Sequence, residues 1–426
     1  MQKAVYKFGG ASVKDADGFR NVGSIIKNAN IPQLLIVNSA IADITNQLEK
    51  VVSAFKNDQI EVAQELLQKI KIFHFNIAQE LLGENGSSLI DNLSNALVEV
   101  EWILEEPFQD SEDYIYDQIV SVGEILSSTI LAAYLNHIGV NVIWQDARNY
   151  IKTDNNYQNA NVNWSLSCYL IQKDLQPLLD KYIVVTQGFI GSSSENFSTT
   201  LGREGSDYSA ALFCSAIDGD QVTIWKDVPG VLNADPKWFD DTKEIPELSY
   251  QDAIELSYYG ATVIHPKTIK PLQNKGIPLY VRSFKDLTLP GTKVQKDQIP
   301  LPIPSFIFKV NQVLLSISPK DFSFIIEENL SQIFSLFHKH QVSVNTMLNS
   351  ALSFSVSVDD HPTKINLLIE DLKLLYKVKY NKGLELVTIR YYDKATVDRV
   401  TVDKNILLEI KSRYTCQLLM KNNDSL

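Results

Sequence analysis

Two short segments hold the residue types suited to chemistry on an anion. The first is Lys7-Phe8-Gly9-Gly10, a lysine and two glycines at the end of a strand pattern. Glycine lets backbone N–H groups approach a phosphate, and the lysine supplies a point charge. The second is Gly202-Arg203-Glu204-Gly205-Ser206-Asp207, which precedes an alanine-rich helix start. Its guanidinium fork suits a carboxylate, and a helix N-terminus favours negative charge. Each has a plainer structural reading: a tight turn for the first, and a helix cap by Ser206 or Asp207 for the second. Other phosphate and metal signatures are missing. There is no GxxxxGK[ST] loop, GxGxxG fingerprint, HExxH or CxxC, and the six histidines are scattered.

These segments need a scaffold, and the first 300 residues alternate strand and helix patterns. Strands are expected at Lys3–Phe8, Gln33–Asn38, Asn141–Trp144, Tyr182–Thr186, Gln221–Trp225 and Ile277–Val281. Val62, Leu66, Ile70, Phe73, Ile77 and Leu81 recur at helical spacing, as do Ile119, Val122, Leu126, Ile130 and Ala133. This alternation predicts an α/β fold with a largely parallel sheet sandwiched by helices. Ligands on such sheets sit beyond the carboxyl ends of the strands, and motif-bearing turns follow Phe8, Asn38, Thr186 and Trp225. A proline-rich stretch near Gln298–Ser305 marks a hinge. After it the order is βαββαβ, a ferredoxin-like unit, followed by further strands at Leu386–Tyr392 and Thr415–Met420.

Composition narrows the class. The 426 residues carry 39 Lys+Arg against 51 Asp+Glu, a formal net charge of −12. That balance argues against nucleic-acid and polybasic membrane partners. Cys168, Cys214 and Cys416 are too sparse for a disulfide framework, and no apolar run approaches the ~20 residues of a membrane helix. A cytoplasmic protein is expected.

Taken together, the motifs make the chain resemble the aspartokinases of the amino-acid kinase superfamily. The resemblance rests on KFGGASV (Lys7–Val13), SAxxxxTNxL (Ser39–Leu48), SVGE (Ser121–Glu124), DAR (Asp146–Arg148) and VVTQGFIG (Val184–Gly191). It continues through TTLGREGSDYSAA (Thr199–Ala211), WKDVPGVLNADPK (Trp225–Lys237) and HPKTIKPL (His265–Leu272). It implies an amino-acid-kinase domain over 1–300 and a regulatory region over 301–426. That region would hold one full ACT unit at about 313–383 and an incomplete second from 305–310 and 384–426. The implied reaction moves the ATP γ-phosphoryl group to the side-chain carboxylate of L-aspartate, with Mg²⁺ held mainly by the phosphates. This is the first step toward lysine, threonine and methionine.

The resemblance also assigns roles. Arg203 would grip the substrate α-carboxylate and Glu124 the α-ammonium, with hydroxyl contacts from Ser39, Thr45 and Ser206. Lys7 would face the transferring phosphoryl group, oriented by Asp207, with N–H bonds from Gly9 and Gly10. Lys226, Asp227, Leu232 and Lys237 would serve the nucleotide, and no protein metal site is implied. DAR is expected to be a supporting ion pair and His265 a turn residue. A homodimer through the ACT units is expected, and a fused dehydrogenase domain is not. Two other readings share the fold: a kinase for a related acidic amino acid, and a catalytically weak amino-acid sensor.

Some positions depart from the family pattern. Asp43, a candidate cap for the helix after it, places an acid near the expected triphosphate, and Thr262 stands where many members place a lysine. Leu232 replaces a tyrosine found in some. Lysine-sensitive relatives carry VDLITTSE where this chain has Val344-Asn345-Thr346-Met347-Leu348-Asn349-Ser350-Ala351. Asn345 and Ala351 thus remove two acids that would receive a cationic effector, each charge-assisted bond being worth ~1.5–3 kcal/mol. Lysine titration of the kinase reaction should give half-inhibition only above about 1 mM; inhibition at lower concentration contradicts this reading.

Overall fold

Two apolar runs become neighbouring inner strands. β1 (Lys3–Phe8) and β2 (Gln33–Asn38) are buried along almost their full length, as strands covered on both faces must be. They pair in parallel from Lys3↔Gln33 to Phe8↔Asn38. Between them lies α1 (Ala16–Lys27), whose cap Asp15 accepts a hydrogen bond from the Gly18 N–H. The structure, a computed structural model, describes residues 2–261, 264–296, 303–321 and 323–423. It divides into two compact units. One comprises Met1–Val231, Pro246–Ile254 and Val263–Ile299; the other comprises Leu232–Ile245, Glu255–Thr262 and Pro300–Leu426. Thr262 and residues 298–302 of the proline-rich stretch lie outside the described residues.

The chain continues through α2 (Ile44–Lys56), α3 (Ile60–Leu82), α4 (Ser87–Glu105), α5 (Glu112–His137), β3 (Val142–Trp144) and α6 (Trp164–Leu170). Next come β4 (Ile183–Gln187), β5 (Ile190–Ser192), β6 (Ser198–Thr200), α7 (Gly205–Ala216) and β7 (Gln221–Lys226). After the short strands β8 (Val231–Leu232), β9 (Glu244–Ile245) and β10 (Glu247–Ser249) follow α8 (Tyr250–Tyr259), α9 (Pro266–Lys275), β11 (Leu279–Ser283) and β12 (Thr292–Gln295). An eight-stranded sheet runs β10-β12-β11-β7-β1-β2-β4-β3. Only the β11–β12 pairing is antiparallel. The expected α/β sheet is therefore present, and β7, β1, β2 and β4 lie side by side. Their carboxyl ends carry Lys226, Lys7-Phe8, Asn38-Ser39 and Gln187.

α5 is the axial helix of this unit. Ser111 caps it through the Tyr114 N–H, and Glu112 and Asp113 place negative charge in its first turn. It is long and apolar enough to cross a membrane, but it is mostly buried within the molecule and packs against α2, α4 and strands β2, β3 and β4. Most of its expected stripe holds: Ile119, Val122, Leu126 and Ile130 are buried, and Ala133 is half-buried. The stripe on α3 is rotated from the expected one. Val62 is 46% exposed, while Ala63, Leu67, Ile70, His74, Ile77 and Leu81 are buried. Alanine and histidine form part of the contact line, so scoring the large aliphatics alone misplaces it.

The second unit continues through β13 (Ser305–Pro319), α10 (Glu327–Lys339), β14 (Val344–Asn349), β15 (Phe354–Asp359), α11 (Pro362–Leu375) and β16 (Tyr376–Arg390). It closes with α12 (Lys394–Thr401), β17 (Lys404–Lys411) and β18 (Thr415–Asn422). Six of these strands form one antiparallel sheet, β14-β15-β13-β16-β18-β17. β13 and β16 are each 15 residues long and interrupted by register shifts between Lys309 and Leu314. The expected βαββαβ order is present. α12 and β17 were not expected, because Val400 is the one buried residue of α12 and β17 has no fully buried position.

The buried and exposed assignments on α5 and α3 can be separated by truncation. Leu126→Ala should destabilise the first unit by ~2–5 kcal/mol, and Val62→Ala by less than about 0.5 kcal/mol. The shift in urea midpoint for unfolding measures both; equal losses would contradict the rotated α3 face.

Candidate active site

The sheet order brings four strand ends together and the helices complete the site. A cleft of about 670 Å³ is lined by Lys7, Gly10, Ser39, Thr45, Glu124, Arg203, Ser206, Asp207 and Lys226, together with Tyr116, Gln158, Phe189 and Glu204 among others. Gly10 is required by close packing: a Cβ there would stand 2.8 Å from the Ala40 carbonyl oxygen and 2.9 Å from that of Ala42. Gly188, beyond β4, meets α7 in the same way, with Ser206 Cβ 2.5 Å from the position of an added Cβ. These contacts hold the β1, β2 and β4 turns against one another and against the first turn of α7.

At the centre lies a buried charge cluster. Lys7 Nζ is 2.8 Å from Asp207 Oδ1, with side-chain exposures of 11% and 4%. Lys226 Nζ is 3.8 Å from Asp207 Oδ2. Burial alone would raise the Asp207 carboxyl, but Lys7 and Lys226 outweigh it, and its pKa falls below the ordinary carboxylate value. Asp207 is thus an ionised anchor for two cations rather than a proton acceptor. Gly9 is next to this pair: a Cβ on it would stand 3.2 Å from Lys7 Nζ.

Glu124 has the opposite environment. It is 4% exposed on the inner face of α5, and its Oε2 has no hydrogen-bond partner. Burial dominates, only partly offset by Lys7 and the Ala40 backbone, and pushes its pKa up to about 8. The cleft therefore holds a carboxyl that is largely neutral near pH 7, and a cation placed beside it would favour its charged form. Arg203 lies at the exposed rim, with no hydrogen-bond or ion-pair partner among the described residues. Together they offer a buried acceptor for an ammonium and an open fork for a carboxylate.

Four non-glycine residues lining the cleft have left-handed backbones: Ala42 (φ 43), Gln158 (φ 61), Phe189 (φ 68) and Glu204 (φ 53). Each conformation costs on the order of 1 kcal/mol and is held by its surroundings. None of these four was expected from the sequence. The usable signal for Tyr116 is its helical register with Glu124, about two turns along the same helix.

Three expected nucleotide-site residues are not among those that line the cleft. Asp227 is exposed and 3.8 Å from Lys285 Nζ. Asp227, Leu232 and Lys237 are not among the lining residues, and the last two belong to the second compact unit. Asp43 occupies the cap position of α2 but its side chain caps no N–H. It accepts a bond from the Asn46 side chain instead. Asp146 and Arg148 form the expected ion pair, at 2.7 Å, and Arg148 also bonds Ser198. His265 caps α9 by accepting from the Lys267 N–H, with Pro266 following it.

Comparison with known proteins agrees with this geometry. The family model of the amino acid kinase family matches residues 2–283. The chain is 31% identical over 397 residues to lysine-sensitive aspartokinase 3 of Escherichia coli, a match spanning 90% of this chain and 86% of that protein. It is 30% identical over 408 residues to the chloroplastic aspartokinase 1 of Arabidopsis thaliana, spanning 90% and 70% respectively. The crystal structure of E. coli aspartokinase III in complex with aspartate and ADP superposes with a TM-score of 0.82 at 28% identity, covering 99% of this chain and 96% of that one. The chain belongs to the amino acid kinase family and, within it, to the aspartokinases.

Proposed function

We propose that this chain transfers the γ-phosphoryl group of ATP to the side-chain carboxylate of L-aspartate, forming 4-phospho-L-aspartate and ADP. The carrying observation is the convergence of Glu124 and Arg203 with the Lys7–Asp207–Lys226 cluster in one cleft. Arg203 takes the substrate α-carboxylate and Glu124 the α-ammonium, while Ser39, Thr45 and Ser206 line the space between. The attacking carboxylate needs no general base, because its ordinary pKa of about 3.9 leaves it ionised. Catalysis then consists of alignment and charge stabilisation. Lys7 and Lys226 supply positive charge to the phosphoryl oxygens, and Asp207 fixes Lys7. The Gly9–Gly10 turn offers backbone N–H groups beside it.

Magnesium fits this arrangement through the nucleotide. No group of three acidic, histidine or cysteine side chains able to hold a metal occurs among the described residues, and Asp207 is already engaged by two lysines. The ion would be held by phosphate oxygens and water, and would neutralise part of their charge. The proposal takes the cytoplasm as the compartment of the reaction. A homodimer through the second unit belongs to the same proposal. Its edge strand β14 exposes Met347 and Leu348, which a second copy would cover.

Three measurements test this reading. Purified protein with Mg-ATP and hydroxylamine should form hydroxamate from aspartate and not from glutamate; product from glutamate would move the assignment to another acidic substrate. Lys7→Ala should lower kcat by ~10²–10³, and a change confined to KM contradicts its placement at the phosphoryl group. The third is pH. Glu124 stays protonated in the empty cleft up to about 8, yet must ionise to pair with the ammonium. Aspartate KM should therefore fall about fifteenfold in all from pH about 6.5 to about 8, most steeply at the lower end. Stability of the unliganded protein runs the other way. Between the ordinary value near 4.5 and about 8 the unfolded chain ionises while the folded chain does not, so this group destabilises the fold as pH rises. Glu124→Gln should flatten both profiles.

A further inference from the structure

Asp117 is a fully buried carboxylate on α5 that the reaction as described does not use. It lies about two helical turns before Glu124 and so on the same inner face. Its two oxygens receive three donors. The Gln158 N–H is 3.1 Å from both Oδ1 and Oδ2. The Thr200 N–H donates to Oδ2 at 2.8 Å and the Thr200 hydroxyl to Oδ1 at 2.7 Å. The donors come from two segments, the Gln158 loop and the end of β6. Gln158 lines it directly from a loop, and its side-chain amide also donates to Asp113 Oδ1 at 2.7 Å. Thr200 ends β6, three residues before Arg203. The intervening Leu201 is fully buried and donates its N–H to the Phe189 carbonyl at 2.9 Å, which fixes the backbone leading from Thr200 toward Arg203.

We propose that Asp117 is a positioning residue for amino-acid recognition: by tying Gln158 and Thr200 to α5, it sets the separation of Arg203 from Glu124. The proposal rests on the reading that these two side chains hold the aspartate α-carboxylate and α-ammonium. The Gln158 loop and β6 share a direct backbone bond, from the Ala160 N–H to the Thr200 carbonyl, and Asp117 joins both to the helix carrying Glu124, beside Asp113, which bonds Gln158, and Gln118, which bonds the Ser198 backbone. A carboxylate accepts from all three donors as they stand. An asparagine of the same shape would lose the charge that strengthens every one of these bonds and would turn an NH₂ group to the Thr200 hydroxyl, which must then rotate to accept from it. The consequence falls on substrate geometry and not on the phosphoryl cluster, since Lys7, Asp207 and Lys226 are held by their own ion pairs.

The test is steady-state kinetics of Asp117→Asn and Thr200→Val beside the unmodified enzyme, with folding checked by circular dichroism and thermal unfolding. Asp117→Asn should raise aspartate KM by about tenfold or more, with ATP KM within about threefold and kcat within about fivefold. Thr200→Val removes one donor and keeps the volume, and should raise aspartate KM by about three- to tenfold. Thr200→Ser, which keeps the hydroxyl, should restore it. Unchanged aspartate KM in folded variants, or equal rises in both KM values, overturns the proposal. If Asp117→Asn does not fold, the Thr200 pair decides alone, because a purely structural threonine would not give a hydroxyl-dependent change confined to aspartate. An unmodified enzyme without aspartate kinase activity would instead remove the functional reading on which the proposal stands.

Discussion

The buried ion pair between Lys7 and Asp207 is the constraint on which the site depends. A carboxylate and an ammonium removed from water need each other: losing either partner leaves an uncompensated charge costing ~3–5 kcal/mol. The pair lies across two elements, the carboxyl end of β1 and the first turn of α7, so the sheet order and the helix entry must both be correct for it to form. Lys226 at the end of β7 adds a second cation to the same carboxylate. Three segments distant in sequence are thereby brought to one point, and Lys7 is presented to the cleft in a single orientation.

That cluster also explains how an acidic protein handles anionic substrates. The chain carries a net charge of −12, yet several acids at or beside the site are compensated. Asp207 is spent on two lysines. Glu124 is held largely neutral by burial until a cation reaches it. Asp117 is satisfied by backbone and hydroxyl donors. Asp43, the acid expected to oppose the triphosphate, does not line the cleft and bonds Asn46. The local field is then set by Lys7, Lys226 and Arg203 against Glu204, which also lines the cleft.

Much of the scaffold was legible because buried parallel strands write themselves as apolar runs. β1 and β2 match their expected spans residue for residue, and the ferredoxin-like order beyond 305 follows from period and turn chemistry. What the sequence could not show is what long-range packing decides. The buried face of α3 turned on Ala63 and His74, which carry little hydrophobic signal. α12 and β17 are nearly unburied and so have no stripe to read. Within the site, glycine-rich turns and charged residues marked Lys7, Glu124, Arg203 and Asp207. Gln158, Phe189 and Glu204 line the cleft through left-handed backbones, which no residue pattern announces. Asp117 looks like an ordinary helix acid until Gln158 and Thr200 fold against it.

The most direct test of the central pair is a double-mutant cycle on kcat with Lys7→Ala, Asp207→Asn and the combined variant. If Asp207 acts by holding Lys7, the double variant should be no slower than about the Lys7→Ala enzyme, because one role is lost once. Losses that multiply, so that the double variant falls well below either single one, would show that Asp207 acts on the reaction independently of Lys7 and contradict the account.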